Sequence, residues 1–535
     1  MKPVPSRPEP HPTRGPALGR AAALLAVLSG CMGPSYEPPD FEARARDLPP
    51  PKPPAFVPPP QPALEPLEGD DGAPAQPTPQ EPAPEQARQP LSLDEVLASV
   101  YERYPPYLSV LLEQDLASAQ LQQALGAFDT NFFAKAGRNF TGFYSATVGQ
   151  ALLEQPLWTG GSLYGGYRIS DGLLPDYYEA RTQTGGEFAV GGRFPLLRDR
   201  EIDSRRLKLR QEQIDQALAD PRIAQGRIDF ILAATRTYNQ WVAEGLRLAV
   251  AEELLGLAQQ RADGIAQGVE LRFLAGIDKV DNQRLIVQRE ILVVRARRSL
   301  EQASLALSLF LRTPEDEPIV PGRERLPGGF PEAVRPDWSS FQEQAVAALP
   351  RRPELRRIEL LLDRTRADQA LADNQLLPNL DVKVDASQDV DDSPYKDLNE
   401  FELFAGLEFK LPMQRRAARG LLRQATTELD RLQIERNFAR DRVLNEISDA
   451  LSALQAAFDQ LEQTSTNVGL ARELVAAEQA SFELGRSDLL RINLREIQLA
   501  EAEVADLEAR LAFHQAAANY RAALALDALP PEERP

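Results

Sequence analysis

Apolar and polar positions follow a helical period along most of this chain and change to a strand period in two places. After residue 91 the sequence is rich in Ala, Leu, Gln, Glu and Arg and poor in glycine. This pattern predicts helices from Leu93 to about Gly126 and from Phe341 to about Leu376. Each helix contains an early proline, at Pro105 and at Pro353, which predicts an interruption there.

Each of these helices is followed by strand-like sequence. In the second copy apolar residues alternate with polar ones between residues 380 and 387 and again between residues 400 and 411. The first copy enters strand near Asn131 and leaves it around Phe194. A period of two predicts β-hairpins with one apolar face and one largely charged face. The charged face of the second hairpin carries the acidic residues Asp381, Asp385, Glu402 and Glu408.

A very long helix follows each hairpin, and a shorter helix follows the long one. The long helices are predicted from about Asp199 to Phe273 and from about Arg415 to Phe482, with a bend or interruption at Pro221. Each ends at a Phe-x-x-Gly segment, residues 273–276 and 482–485, which we name the first and second elbow. The chain therefore contains one structural unit twice. The shorter helices are predicted from about Ile277 to Leu311 and from Asp488 to Leu524.

The predicted helix lengths fit together. At 1.5 Å per residue the long helices span on the order of 100 Å and the shorter ones on the order of 50 Å. Two shorter helices stacked end to end therefore match one long helix, which predicts a uniform helical wall. In the last helix apolar residues step by three and four positions, which predicts a coiled-coil seam. The residues of this seam are Leu490, Leu494, Ile497, Ala500, Val504, Leu507 and Leu511.

Helical periodicity alone would favour a soluble coiled-coil rod, but the hairpins favour a different structure. A two-stranded hairpin is not stable alone in water. A charged face opposite an apolar face fits a barrel with lipid outside and water inside. One chain offers too few strands to close a barrel, so closure requires several chains. The alternative is that the hairpins form a small sheet packed against the helices.

The bulk composition excludes other classes of protein. The chain has 535 residues, of which 43% are hydrophobic and 26% charged, and a net charge of −19. It can therefore bury a core, and it has no basic stripe with interleaved aromatic residues that could bind nucleic acid. Apart from the N-terminus, no apolar run approaches the roughly 20 residues of a membrane-spanning helix. This excludes a helical membrane protein.

The only cysteine, Cys31, directly follows a predicted signal peptide. Residues 21–28 are apolar and follow a basic segment, and Leu28-Ser29-Gly30-Cys31 resembles the bacterial lipobox, in which the cysteine is acylated. Acylation would anchor the chain in lipid, and Met32 after the cysteine favours the outer membrane. A buried or chance cysteine is the alternative. The proline-rich stretch up to residue 90 predicts an extended tether.

Residues suited to catalysis or metal binding are scarce. After signal removal His514 is the one remaining histidine, and it is most simply a residue of the last helix. The three methionines, Met1, Met32 and Met413, are too few for a thioether copper or silver site. Glycine pairs beside the strands lack a phosphate-loop lysine and predict turns. The sequence therefore predicts neither an enzyme nor a bound cofactor or metal.

The order and spacing of several short segments resemble the TolC-like outer-membrane efflux family, in its lipoprotein form. The resemblance covers roughly residues 91–526. No single motif is specific, and the match rests on their combination. The motifs are Gln155-Pro156-Leu157, Phe194-Pro195-Leu196-Leu197, Arg352-Pro353-Glu354-Leu355, Leu377-Pro378-Asn379-Leu380 and residues 484–490 at the second elbow.

The resemblance implies an α+β membrane protein with a duplicated helix and hairpin repeat. It would be a homotrimer whose chains each supply four strands to a β-barrel in the outer membrane of a Gram-negative bacterium, continuing into an α-helical periplasmic tunnel. Such a channel passively conducts solutes to the exterior in a tripartite efflux or type I secretion system. Its partners are a periplasmic adaptor (membrane fusion) protein and an inner-membrane pump of the RND, ABC or MFS type. The alternative is a non-conducting periplasmic coiled-coil scaffold lipoprotein.

The resemblance also assigns candidate site residues. The elbows would form the closed periplasmic tip where the adaptor docks, at Gly276, Ile277, Asp278, Gly485, Arg486 and Ser487. The acidic strand face named above would line the barrel lumen and favour cations. In well-known members, carboxylates about two turns beyond the second elbow hold the tip shut, but Arg491 and Leu494 occupy that neighbourhood here. The gate candidates are therefore Asp278, Asp281, Asp488 and Arg491.

One segment departs from the family pattern. Residues 145–185 make the first hairpin region longer than the second and contain an additional candidate hairpin around Thr159-Gly160-Gly161. It either adds barrel strands or projects outside the cell. The predicted domains are residues 1–30 (lipoprotein signal peptide), 31–90 (acylated N-terminus and tether), 91–312 (first repeat), 313–338 (equatorial linker), 339–528 (second repeat) and 529–535 (C-terminal tail).

Overall fold

The computed structural model describes residues 89–174, 181–272, 275–337, 339–390, 401–484 and 486–529. All described residues belong to one compact unit, which begins at Gln80. Cys31, the predicted signal peptide and nearly all of the predicted tether lie outside the described residues. So do Gly485 and residues 530–535.

The first repeat opens with two short helices, α1 (Leu93–Arg103) and α2 (Pro105–Leu125). Helix α1 begins after Ser92, whose hydroxyl accepts a hydrogen bond from the Glu95 N–H at 3.2 Å. Tyr104 is extended, and Pro105 occupies the first turn of α2, where a missing N–H costs nothing. The predicted interruption at this proline is confirmed.

In the described residues six strands form one antiparallel sheet in sequence order. The first repeat supplies four of them, so residues 145–185 add a hairpin to the sheet. The expectation of four strands per chain is therefore wrong for this protein, because β2 and β3 pair along their whole length with each other. The strands are β1 (Asn131–Arg138), β2 (Ala146–Pro156), β3 (Ser162–Gly172), β4 (Glu187–Pro195), β5 (Asn379–Asp389) and β6 (Glu402–Lys410).

The sheet does not rest on the helices. Its strands pack mainly against one another, and large apolar side chains on the two edge strands are open to the surroundings. Phe132 on β1 is 70% exposed, and Leu407 on β6 is 72% exposed. The alternative of a small sheet packed against the helices is therefore wrong in the described part of the chain.

The remaining helices largely confirm the predicted plan. The first long helix is interrupted at Leu218, because Pro221 lies in the first turn after the break. The second long helix is continuous for 68 residues, or about 100 Å. The helices are α3 (Ser204–Ala217), α4 (Ala219–Glu270), α5 (Gly276–Leu307), α6 (Phe341–Ala348), α7 (Pro353–Asn374), α8 (Arg416–Glu483) and α9 (Leu489–Ala523).

Helix packing produces one layer with two edges. In the half nearer the elbows, neighbouring helices follow the order α5, α4, α9, α8, and in the half nearer the sheet they follow the order α2, α3, α7, α8. None of the helices in the described part of the chain combines a membrane-spanning length with low enough charge to cross a bilayer. The largest buried cluster joins α1, α4 and α5 around Trp241, whose indole N–H donates to the Ser304 hydroxyl at 3.0 Å.

Buried arginines tie the start of the short helices to the end of the chain. The Arg352 guanidinium donates to the Ala523 carbonyl at 2.8 Å and pairs with Glu446 at 2.6 Å. In the first repeat, the Arg227 guanidinium donates to the Tyr107 hydroxyl at 3.0 Å and to the Ala528 carbonyl at 2.7 Å. The bond from Arg352 satisfies a carbonyl in the last turn of α9 that has no helical partner, and the bond from Arg227 joins α4 to the segment that follows α9.

The predicted seam of the last helix is wrong. Leu490 is 77% exposed and Leu494 is 50% exposed, and of the seven predicted residues only Leu511 is buried. Helix α9 packs between α4 and α8, and its buried row contains small and charged residues as well as apolar ones. The row consists of Ile492, Glu496, Ala502, Asp506, Ala509 and Phe513.

Candidate pore-lining sheet and helical elbows

The register of the six strands separates an apolar face from a polar face across the whole sheet. On one face Phe194, Val382 and Leu407 lie side by side on β4, β5 and β6. On the other face Asp381 lies between Pro195 and Glu408. Alternating strands of this kind suit a barrel with lipid on one side and water on the other.

Ion pairs on the polar face join neighbouring strands. The Arg193 guanidinium donates to the Asp381 carboxylate at 2.7 Å, and the Arg168 guanidinium donates to Glu187 at 2.8 Å. These cross-strand pairs fix the register, because a slip of one residue would move each charge to the apolar face.

All four predicted lumen residues lie on this polar face, but they differ in how their charges are matched. Asp381 pairs with Arg193, and Asp385 pairs with Lys383 at 3.0 Å and accepts a hydrogen bond from the Tyr164 hydroxyl. Glu402 and Glu408 are exposed, and the described residues offer neither of them an ion pair. Asp389 on β5 and Lys410 on β6 lie on the same face, and no ion pair within the described sheet involves them. The two glutamates of β6 therefore add two unmatched negative charges to this face.

A tight turn between β2 and β3 brings the added hairpin to the helix-proximal edge of the sheet. The Leu157 N–H donates to the Gly161 carbonyl at 3.1 Å. Gly161 has a φ of +83°, and a Cβ there would lie 2.0 Å from the Arg193 carbonyl oxygen. Only glycine fits this position, because both the backbone angle and the approach of β4 exclude a side chain.

The first elbow presents exposed residues around the start of α5. Gly276 has no heavy atom within 4 Å of where a Cβ would lie, and Ile277 is 62% exposed. The Asp278 carboxylate accepts a hydrogen bond from the Ala275 N–H at 2.9 Å, so it caps the helix. Asp281 lies 3.9 Å from Arg284, with both side chains exposed. Both carboxylates therefore have local partners, and their part in a gate stays a prediction.

At the second elbow an aspartate also caps the helix, but here Asp488 is itself the N-cap residue of α9. The Asp488 carboxylate accepts a hydrogen bond from the Arg491 N–H at 2.9 Å and lies 3.9 Å from the Arg491 guanidinium. The Ser487 hydroxyl donates to Glu478, and the Arg486 N–H donates to the Ser481 carbonyl at 2.9 Å. These bonds link the end of α8 to the start of α9. The predicted roles of Arg486, Asp488 and Arg491 in docking and gating stay predictions.

Sequence patterns did not reveal a buried ionic cluster near the elbows. Glu496 on α9 pairs with Arg289 on α5 at 3.1 Å, and both side chains are 2% exposed. Arg261 on α4 also pairs with Glu496 and donates to Asn493 at 2.9 Å. Burial lowers the pKa of the Arg289 guanidinium, and the bond to Glu496 opposes this shift. The cluster joins the first helix pair, α4 and α5, to α9 of the second.

A signal for this cluster exists in the sequence. Arg289 lies in an apolar row between Ile286 and Val293, at spacings of three and four, and Glu496 follows Ile492 by four positions. A charged residue inside the buried row of a helix requires an opposite charge or a strong hydrogen-bond partner. The charges in the two rows have opposite signs, positive on α5 and negative on α9, but only the packing of the helices shows that these charges face each other.

Comparisons with known proteins agree with this architecture. Residues 345–526 match the family model for outer membrane efflux proteins. No curated protein matches the chain. The solved CmeC outer membrane channel of Campylobacter jejuni is similar over 81% of this chain and 85% of that one, with a TM-score of 0.57 and 12% identity.

Two further solved structures are similar. The open state of the MtrE outer membrane channel of Neisseria gonorrhoeae has a TM-score of 0.58 and 14% identity, over 81% of this chain and 88% of that chain. The outer membrane protein VceC of Vibrio cholerae has a TM-score of 0.56 and 12% identity, over 81% of this chain and 96% of that chain. At these identities the similarity shows a shared fold.

Proposed function

Residues 345–526 match the family model for outer membrane efflux proteins, and on this premise we propose that the chain is the outer-membrane channel of a tripartite efflux or type I secretion system. It conducts solutes passively from an inner-membrane pump and a periplasmic adaptor to the exterior. The pump is of the RND, ABC or MFS type. The sheet spans the outer membrane, and the helices extend into the periplasm.

The two-faced sheet with open edges carries this proposal. Apolar side chains on the two edge strands, such as Phe132 and Leu407, are exposed in the single chain. Exposed apolar edge strands with unpaired backbone groups are unstable in water. In a lipid bilayer every backbone group must be paired, so the sheet can be stable there only when it closes into a barrel with other chains.

Exposed apolar stripes on the edge helices support assembly into a homotrimer. Helix α2 has Leu108, Leu112 and Leu116 exposed at spacings of four, and α8 at the opposite edge has Ile434 and Phe438 exposed. Leu108 and Ile434 lie at the same height, since each is about 26 Å along its helix from the sheet-proximal end. The α2 edge of one chain therefore suits the α8 edge of the next.

A second pair of stripes lies nearer the elbows. Helix α5 has Val287, Ile291 and Val294 exposed, and α8 has Leu470 and Leu474 exposed. Val287 and Leu474 are about 17 Å and about 14 Å from the elbow ends of their helices. Contiguous exposed apolar patches on a protein surface usually mark an interface with another protein.

We expect the polar face of the sheet to line the lumen and to favour cations. Reversal potentials in a salt gradient should show a cation preference that falls in the double variant Glu402→Gln/Glu408→Gln. The matched control is Arg193→Gln/Asp381→Asn, which removes an ion pair and leaves the net charge unchanged. Anion preference in the unmodified protein, or equal loss in both variants, contradicts this role.

The elbows are proposed as the tip that meets the adaptor. The space around Gly276 is open, so Gly276→Arg should leave the fold and the oligomer intact while efflux is lost. The control is Gly256→Arg, which is also in open space but lies within α4. Normal efflux by the Gly276→Arg variant would count against the docking role.

Acylation of Cys31 would hold the N-terminus in the outer membrane. Incorporation of radiolabelled palmitate that the variant Cys31→Ser abolishes would test this anchor.

Conduction in planar bilayers by the purified protein is the decisive test of the channel. The proposal predicts an oligomer of three chains that resists denaturing detergent at room temperature and conducts in discrete steps. A non-conducting scaffold predicts neither conductance nor a detergent-resistant trimer.

A further inference from the structure

The backbone polarity of the edge strands shows which residues are available for pairing with another chain. In β1 the Asn139 N–H, one residue beyond the strand, donates to the Ala146 carbonyl at 2.9 Å. Backbone groups alternate in direction along a strand. The odd-numbered residues of β1 therefore bond to β2, and the even-numbered residues from Phe132 to Arg138 direct their backbone groups outward.

The opposite edge of the sheet has the complementary arrangement. The Leu196 N–H donates to the Leu380 carbonyl at 2.8 Å, so even-numbered residues of β5 bond to β4 and odd-numbered ones bond to β6. Asp381 is paired with Glu408, so even-numbered residues of β6 bond to β5. The outward-directed groups of β6 belong to Leu403, Ala405, Leu407 and Phe409.

The two outward rows carry matching side chains. On β1 the row is Phe132, Ala134, Ala136 and Arg138, and it lies on the same apolar face as the outward row of β6. Antiparallel pairing of β6 with β1 of another chain therefore satisfies the backbone and keeps the apolar face continuous. A displacement by an odd number of residues would break both conditions at once.

The stagger across the sheet fixes the closing register. Following partners from Asn131 through Glu154, Tyr164, Gly191 and Asp385 leads to Phe404 on β6. Phe404 precedes Lys410, the helix-proximal end of β6, by six residues. If the helix-proximal ends of β6 and the next β1 are level, each chain adds six residues of shear to six strands.

Equal shear and strand number give a closed barrel of ordinary geometry. Strands in such a barrel tilt by about 36°, which is within the usual range. At this tilt six strands occupy about 36 Å of circumference. Four helices side by side, as in the elbow half of the layer, also occupy about 36 Å. The β2–β3 hairpin thus makes the sheet as wide as the helical layer that follows it.

We propose, resting on the trimeric channel above, that three chains close an eighteen-stranded barrel in which Lys410 of β6 lies opposite Asn131 of the next chain's β1. The backbone radius is about 17 Å, against about 11 Å for four strands per chain. In this register Glu408 lies opposite Phe133 and diagonal to Lys135. The ion pairs within the described sheet leave Lys135 and Glu408 unused, so the interface brings these two charges together.

Cysteine cross-linking tests the register. Phe133 and Glu408 would occupy a non-hydrogen-bonded pair, where opposite side chains are close enough for a disulfide. Under mild oxidation the variant Phe133→Cys/Glu408→Cys should form links between chains that end at three chain masses on a denaturing gel. Asn131→Cys/Glu408→Cys and Lys135→Cys/Glu408→Cys are the matched controls, because each moves one cysteine by two residues. The single variant Glu408→Cys controls for links through Cys31.

The outcomes separate this inference from the channel itself. Stronger linking in either control variant overturns the register, and a ladder that ends at two or four chains overturns the strand number. Electron microscopy of the unmodified oligomer counts the chains and measures the barrel directly, so the inference does not depend on the variants folding. A conducting oligomer with a barrel radius near 11 Å would reject the eighteen strands and keep the channel. Absence of any conductance would instead reject the proposed function.

Discussion

Arg289 and Glu496 form an ion pair at 3.1 Å between two side chains that are each 2% exposed. Arg261 adds a second cation to the same carboxylate. The pair connects α5, which follows the first elbow, with α9, which follows the second elbow in the other repeat. A buried charge that loses its partner is far more costly than an exposed one, so this cluster holds the two helix pairs together near their ends.

The variant Glu496→Gln should lower the free energy of unfolding by about 3–5 kcal/mol, because two arginines would lose their buried carboxylate. Denaturant unfolding of the oligomer in detergent, followed by the helical signal in circular dichroism, measures the change. The control is Glu508→Gln on the same helix, whose pair with Arg247 also measures 3.1 Å but has a glutamate that is 60% exposed. We expect that control to cost about 1 kcal/mol or less. If both substitutions lower the free energy of unfolding equally, the buried cluster stabilises the protein no more than an exposed ion pair does.

Stability should fall when the solution is acidified through the titration range of His514. Its imidazole stacks on Phe330 with ring centroids 5.0 Å apart, and burial lowers its pKa from the ordinary 6.5. The unfolded chain therefore binds a proton at a higher pH than the folded chain does, and stability present above pH 6.5 is lost as the pH falls below it.

Thermal unfolding midpoints between pH 8 and pH 5 measure this dependence. The variant His514→Gln cannot titrate, so its midpoint should change less with pH than that of the unmodified protein, whatever its absolute stability. The same pH dependence in both proteins would assign the acid sensitivity to other groups.

The turn between β2 and β3 should not tolerate a side chain at Gly161. Because a Cβ would lie 2.0 Å from the Arg193 carbonyl oxygen at a φ of +83°, Gly161→Ala should destabilise the sheet by more than about 1 kcal/mol. The temperature at which the detergent-resistant oligomer dissociates is the measurement. Gly137→Ala on β1 is the control, since nothing lies within 4 Å of its Cβ position. A normal dissociation temperature for Gly161→Ala would contradict the turn geometry.

Two substitutions at Asp488 distinguish a structural role of this residue from a role in gating. Asp488→Ala should destabilise the start of α9 by about 1 kcal/mol, because the Arg491 N–H loses its acceptor, whereas Asp488→Asn should keep the cap. Hydrogen exchange of the first turn of α9 measures this difference. If the charge of Asp488 also closes the channel, both variants should raise the conductance, and a rise in Asp488→Ala alone would assign the effect to the lost cap.

The sequence predicted much of the fold because its signals are local. The prolines at 105, 221 and 353 end or interrupt helices through their own ring geometry, and the structure places a helix start or break at each of them. The alternation around Val382 and Leu407 predicted a two-faced hairpin, and both residues lie on the apolar face. The carboxylates named for the lumen share one face for the same reason, since side-chain direction along a strand has a fixed period.

Interactions between distant segments lay beyond these local signals. The seam predicted for α9 is wrong because α4 and α8 pack on different sides of this helix, so its apolar residues alone do not mark the buried row. The pairing of Glu496 with Arg289 depends on how the two repeats pack, which no spacing within one helix encodes. The neutralisation of Asp381 by Arg193 likewise required the register between β4 and β5.

By itself, therefore, the sequence determined the duplicated plan, the helix breaks and the two faces of the strands, since each depends on dihedral preferences and side-chain periods within a few residues. The tertiary structure alone decided that the described sheet has six strands, which of its carboxylates form ion pairs within the chain and which ions meet in the helical layer. These features depend on contacts between residues up to about two hundred positions apart, whose geometry is set by the packing of whole elements.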